Sequence, residues 1–468
     1  MSDTLRPAPK KTAALLTGGV LLVVAATFTA FLGAKGCTPR PPPPLEIARE
    51  TTWFTGPRLE GGGVDYPAAI AAEARATASA LPQALARFVD PWSFAAAQAR
   101  SSGGARDVDA EVAAAVAALQ RGDTAAPAAA LLLPWLDECA PLLAPVADAV
   151  KSGECRVAPR GLLLERPDPF PQLGAVTLAL ELGFARHAAA GNGEAALADA
   201  TLALQLARVL GLPATFGEQA RALEREAGTL AQLVRTARAT TTPTAAELHE
   251  RAQSQPGGAG GDSALREALD SARIELLDQL TAAWRGRVEI GPDPEDGSAQ
   301  AGREHARAAA AVSQALAQAD PNRFFRHANA RCDTLDGALL GSDRPFAARV
   351  DDFLTALATL REAGKPLPPQ RSGPLGRALL SADQLAEHVV DVLLGAMAAR
   401  LELEFRDWLA QVVACEARLA ELAEQAGAPR RRDRLLSEPL VTTRRSDGGC
   451  DVSGPLLELC DSLERRRR

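Results

Sequence analysis

The chain has 468 residues, a net charge of −7 and 47% hydrophobic residues, enough for two domains of ordinary size with a substantial core. The mild acidity argues against a dedicated nucleic-acid binder. With aromatics at 4% and one tyrosine, Ala and Leu must build the core, and that composition favours helices over sheets.

Residues 1–12 form a short tail carrying Arg6, Lys10 and Lys11. From Ala13 to Ala34 there is no charged side chain. A helix needs roughly 20 such residues to span a bilayer, so this length favours a retained anchor over cleavage after Gly36 or lipidation of Cys37. Lys35 and Arg40 follow at lower density, so the positive-inside tendency places the N-terminus in the cytoplasm and the rest outside. The lipid bilayer is thus one expected partner, through residues 13–34. Residues 35–64 read as a Pro/Gly-rich linker: PRPPPP is a stiff spacer, and TTWFTGPRLEGGGVDYPAAI is an extended lead-in with a Gly-rich turn. Asp65 is placed to cap a helix starting near Pro67.

Residues 65–240 read as a first helical domain. Pro134, Pro141 and Pro145 mark kinks or short-helix starts within an apolar stretch. Over 171–212, two helical stretches flank a short Gly-Asn-Gly turn, which forces an antiparallel hairpin. Ala196 and Ala203 fall where a tetratricopeptide-type hairpin places small residues, but a single copy does not make a solenoid. Residues 241–262 hold a short helix after Pro243 and then a Gly-rich break, the expected domain boundary. A second helical domain covers 263–428, its long last helix bracketed by Ser381 as cap and Gly427 as terminator. Residues 429–468 form an Arg-rich tail in which PLVTTRRSDGGCDVS alternates around an Asp-Gly-Gly turn and predicts a β-hairpin. The predicted fold is therefore all-α: an N-terminal transmembrane helix, then an exported helical-hairpin array or bundle with one small C-terminal β-hairpin.

Beyond Cys37 there are six cysteines, and Cys139–Cys155 and Cys450–Cys460 are the local pairs an oxidising compartment would favour. Cys415 reads as a small buried apolar residue. No C-x-x-C occurs.

Four stretches carry a resemblance: Thr51–Ile70, Leu182–Gly211, Asp320–Leu339 and Arg432–Gly449. Together they resemble a set of uncharacterised, membrane-anchored helical proteins from planctomycete-type bacteria. The first resembles their T-T…P-L…G-x-V-D-Y-x-A-A pattern and the last their D-P-x-S-G-x-P-L-x-Y-R pattern, although Arg434 stands for the usual Pro and Glu438 for the Gly. The resemblance implies a one-pass anchor and an exported helical domain. It implies no activity.

Catalytic motifs are missing, and no catalytic, cofactor-binding or metal residue is assigned, nor any cofactor. His249-Glu250 opens a helical H-E-x-x, but Gln253 stands where the second His belongs. Glu304-His305 and Glu387-His388 are sequence neighbours about 100° apart on a helix, so neither pair shares a site by itself. No G-x-S-x-G occurs, and Gly364-Lys365 lacks the upstream glycine of a phosphate loop. The arginines at 430–432 and 434 and the four at the C-terminus read as a solvated tail before a clasp for an acidic partner. The pattern fits a non-enzymatic interaction or scaffold protein tethered to the inner membrane of a bacterial envelope, with a protein partner and no nucleic acid. The alternatives are a ligand-sensing ectodomain, or an enzyme with a dispersed site at His187 or His327.

Overall fold

The computed structural model describes residues 43–54, 56, 58–59, 63–66, 68–69, 81–102, 107–151, 172–209, 215–239, 243–254, 262–285, 313, 316–341, 344–365, 381–428, 435, 440–445 and 450–465. Their helices, in chain order, are α1 (Arg49–Thr52), α2 (Leu81–Leu85), α3 (Pro91–Ser102), α4 (Val108–Gln120), α5 (Leu133–Lys151), α6 (Leu173–Ala189) and α7 (Gly193–Val209). There follow α8 (Phe216–Ala239), α9 (Ala245–Ser254), α10 (Asp262–Trp284), α11 (Pro321–Leu340), α12 (Phe346–Ala363) and α13 (Ala382–Gln425). Strands β1 (Val441–Arg444) and β2 (Cys450–Ser453) pair antiparallel, with Val441 opposite Ser453 and Arg444 opposite Cys450, and α14 (Pro455–Arg465) closes the chain. The mostly helical class and the C-terminal hairpin are as the sequence predicts. The expected anchor at 13–34 lies outside the described residues. Among those residues no helix is long and apolar enough to cross a membrane.

Local chemistry explains several helix ends. Asp65 accepts from the Ala68 amide at 3.0 Å. Ser381 and Gln384 close a reciprocal capping box at the start of α13, and Gly427 ends that region at φ +64. Thr215 with Glu218 and Thr244 with Glu247 do the same for α8 and α9. Pro134 falls in the first turn of α5, as expected of a helix start, while α5 continues through Pro141 and Pro145. Pro141 and Asp137, whose carbonyl loses its helical donor, are both exposed, so the freed group lies at the solvent-facing side of α5.

The chain divides into two compact units, each discontinuous in sequence. Both boundaries at Ala268/Leu269 and Leu403/Glu404 fall inside helices, α10 and α13.

Unit 2 holds 73–160, 165–268 and 404–468. Its core includes Leu119, Trp135, Val146, Val176, Leu180 and Leu206. Trp135 donates its indole N–H to the Val89 carbonyl at 2.9 Å. The predicted hairpin is α6–α7, turning at Gly191 with φ +74, and Ala196, Ala200 and Ala203 are all buried on α7. Phe216 of α8 meets Phe405 and Trp408 edge-on, with ring centroids 5.3 and 5.8 Å apart. Arg208 and Glu226 form a fully buried pair at 2.7 Å. Cys139 is a buried free thiol whose pKa burial pushes up to about 12. The expected Cys139–Cys155 bridge is therefore not formed, because Cys139 faces the core of α5; Cys155 lies outside the described residues. The side chain of Cys450 does too, so its pairing with Cys460 is not described.

Unit 1 holds 1–72, 161–164 and 269–403. Phe324, Phe325, Val350, Phe353 and Leu357 build its core. A Cβ on Gly364 would lie 2.6 Å from the Asp391 carbonyl oxygen, so only glycine lets the end of α12 approach α13 this closely. Charges facing across α11 and α13 form a ladder: Arg323 with Asp383 and Glu387, then His327 and Arg331 with Asp391.

Candidate functional site

The densest convergence of polar and aromatic groups in unit 1 lies where residues 43–54 run along α11. Asn322, Arg326 and Asn329 sit three and four residues apart, which puts them on one helical face. That face receives the leading segment in order. Asn322 donates its amide to the Pro44 carbonyl at 3.1 Å and accepts the Glu46 amide at 2.6 Å. Arg326 pairs with Glu46 at 3.0 Å in the open, where such a pair contributes about 0–1 kcal/mol. Asn329, 4% exposed, donates to the carbonyls of Glu50 and Thr51 at 3.2 and 3.0 Å. Losing an amide with those partners costs on the order of 1–3 kcal/mol.

The segment then folds on itself. Thr51 and Thr52 are buried, and their hydroxyls reach the Ala48 carbonyl at 3.1 and 3.0 Å. Trp53 follows at φ 63 and ψ −41, and the Phe54 amide donates to the Thr52 carbonyl at 2.6 Å. This is a γ-turn with positive φ on a bulky residue, a strained arrangement costing on the order of 1–3 kcal/mol. It persists because its surroundings fix it. The Tyr66 hydroxyl donates to the same Thr52 carbonyl at 2.7 Å, and the Tyr66 ring meets Phe54 edge-on at 6.1 Å. Burial, then the neighbouring Asp278 charge, raises the Tyr66 phenol well above its ordinary range, so it stays protonated and donating.

The Trp53 ring lies between two guanidinium groups. Arg49 is 4.6 Å from its centroid and Arg273 of α10 is 4.1 Å away. Arg273 has a 1% exposed side chain and pairs with Asp333 at 2.7 Å and Asp336 at 2.5 Å on α11. Cys332 is buried beside it, and burial pushes its thiol pKa up to about 12, so it is not a nucleophile here. Two buried atoms in this groove, Arg273 Nε and Asn329 Oδ1, lack a hydrogen-bond partner among the described residues. Residues 43–54 thus belong to the folded body of unit 1, whereas the sequence reads 35–64 as a linker.

The histidines are placed as follows. His187 Nδ1 lies 2.9 Å from Asp199 Oδ2 across the α6–α7 hairpin, and burial raises the Asp199 pKa against the pull of His187. His327 Nε2 lies 2.9 Å from Asp391 Oδ1. His388 is on the same helix as Asp391, and burial lowers its pKa while Asp391 opposes the shift. His249 contacts Gln253 at 3.0 Å on its own helix, and His305 lies outside the described residues. The structure therefore brings His327, His388 and Asp391 together but keeps His187 in the other unit. Each histidine–aspartate pair ties neighbouring helices. Among the described residues no group of three His, Cys, Asp or Glu side chains is set to hold a metal ion.

Sequence reasoning singled out none of Trp53, Arg273 or Asn329. One signal was there: the chain's one tyrosine and two further aromatics, Trp53 and Phe54, fall within a stretch otherwise rich in Gly and Thr. The clamp also joins two of the four stretches that carry the resemblance, Thr51–Ile70 and Asp320–Leu339. Among known proteins, no family model, curated protein or solved structure matches this chain.

Proposed function

We propose that the chain is a non-enzymatic interaction or scaffold protein of the bacterial cell envelope, tethered to the inner membrane by residues 13–34 with its N-terminus in the cytoplasm. The observation that carries this reading is the clamp on α11. The chain emerging from the polyproline stretch is gripped at Pro44, Glu46, Glu50 and Thr51 by Asn322, Arg326 and Asn329. A tether joined to unit 1 at these points orients that unit toward whatever it is anchored in, which suits a protein that presents a surface. The resemblance to membrane-anchored proteins points the same way. The Ala13–Ala34 stretch, uncharged and apolar, supplies the anchor.

The test is affinity capture of the full chain from its native membranes after mild cross-linking, with partners identified by mass spectrometry. A near-stoichiometric envelope protein is the expected result. Recovery of the chain in the soluble fraction, or membrane recovery with no partner, would contradict it.

A further inference from the structure

We propose that the groove formed by α11 and Arg273 of α10 is a peptide-binding site which residues 43–54 fill as a built-in ligand, and that a segment of a partner protein displaces them. The chemistry of the groove states what it takes. Asn329 reads main-chain carbonyls and so is indifferent to the side chains it holds in place. Arg326 meets a carboxylate and Arg273 an aromatic face, and in the built-in ligand Glu46 and Trp53 supply these seven residues apart. The partner segment therefore carries an acidic residue seven positions before an aromatic one, with one helical turn between them as in α1.

Two observations show that the resident segment is an imperfect occupant. Trp53 sits at φ 63, at the turn that leads into the edge-on contact of Phe54 with Tyr66. A segment supplied by another chain ends or continues freely after its aromatic and needs no such turn. Among the described residues, Asn329 Oδ1 and Arg273 Nε in the groove also have no hydrogen-bond partner, although Asn329 is 4% and Arg273 2% exposed. A longer or differently placed ligand satisfies both. What keeps the resident in place is its covalent link, which gives it an effective concentration in the millimolar range.

This inference gives the scaffold reading its contact surface and rests on that reading for the class of partner. Its test uses purified components, so it fails or stands apart from the membrane capture. A fluorescently labelled peptide with the sequence of residues 43–54 is titrated against the full chain and against full-length Trp53→Ala, with helix content checked by circular dichroism. The peptide is expected to bind W53A at least tenfold tighter than the parent, and the same peptide with its Trp replaced by Ala to lose that binding. A folded W53A that ignores the peptide overturns the proposal. Where W53A does not fold, the parent is read instead: millimolar peptide should speed hydrogen exchange in its own residues 46–54, and unchanged exchange overturns the proposal equally. A parent that is dimeric by sedimentation, and monomeric as W53A, assigns the groove to a second copy's segment and overturns the partner assignment.

Discussion

Both units bury an arginine, and they do so by different means. In unit 2, Arg208 of α7 is 5% exposed and its partner Glu226 of α8 is 1% exposed, so the charge is enclosed by helices and answered by an equally enclosed carboxylate. In unit 1, Arg273 is just as deep, but its partners Asp333 and Asp336 are 67% and 26% exposed, and part of its cover is the Trp53 ring, just past the single turn of α1 in the leading segment. The first arrangement is a permanent tie between helices. The second can be uncovered without leaving a carboxylate stranded, because its acids already reach water. Where a charge is hidden by a strap, and not by a helix, the structure retains a way to expose it.

Substitutions sharpen that contrast. Arg208→Met should destabilise the most, by about 3–5 kcal/mol in a denaturant titration, since it removes the buried cation paired with Glu226. Combining it with Glu226→Leu should recover most of the loss, because exchanging a buried pair for apolar side chains is often neutral or better. Gly364→Ala should cost on the order of 1–3 kcal/mol, since its new methyl meets the Asp391 carbonyl. Asn329→Ala should cost a similar amount, about 1–3 kcal/mol, and should also loosen residues 46–54, which a thermal melt alone would not show. Arg273→Met should cost less than Arg208→Met, and equal losses at the two sites would break the comparison.

One effect depends on pH. The folded pKa of His388 lies below its ordinary 6.5, first because of burial. The unfolded chain therefore binds the proton more readily, and stability is full above about 6.5 and falls as pH drops through the unfolded value toward the folded one. His388→Leu should flatten that part of the stability–pH curve; an unchanged slope would show that His388 does not contribute to it. At the small end, Arg326→Ala removes an exposed pair and should shift stability by less than about 1 kcal/mol.

Much of this architecture is legible in the sequence where the signal is local. Asp65, Ser381, Gly191 and Gly427 announce helix ends because capping and turn chemistry act within a few residues, and the Asp-Gly-Gly sequence, itself outside the described residues, announces the paired strands for the same reason. Pro134 announces the start of α5, whereas the cost of Pro141 and Pro145 inside it depends on whether the freed carbonyl reaches water, which only the fold decides. The boundaries of the units are harder still, since they run inside α10 and α13, where nothing interrupts the periodicity. The clamp was illegible for a different reason. Residues 43–54 have no helical or strand period, so their composition reads as linker, and their role follows from Asn329 and Arg273, more than 200 residues further on. Neither side chain carries a motif.

The leading segment is part of the folded body of unit 1, held by Asn329. Hydrogen exchange read by mass spectrometry over residues 49–54 tests it most directly, on the full chain and on Asn329→Ala. The amides of Thr51, Thr52, Trp53 and Phe54 are all hydrogen-bonded within the segment, so the parent should exchange them slowly and the variant should lose that protection while the core helices keep theirs. Exchange in the parent at the rate of an unstructured chain would contradict the account.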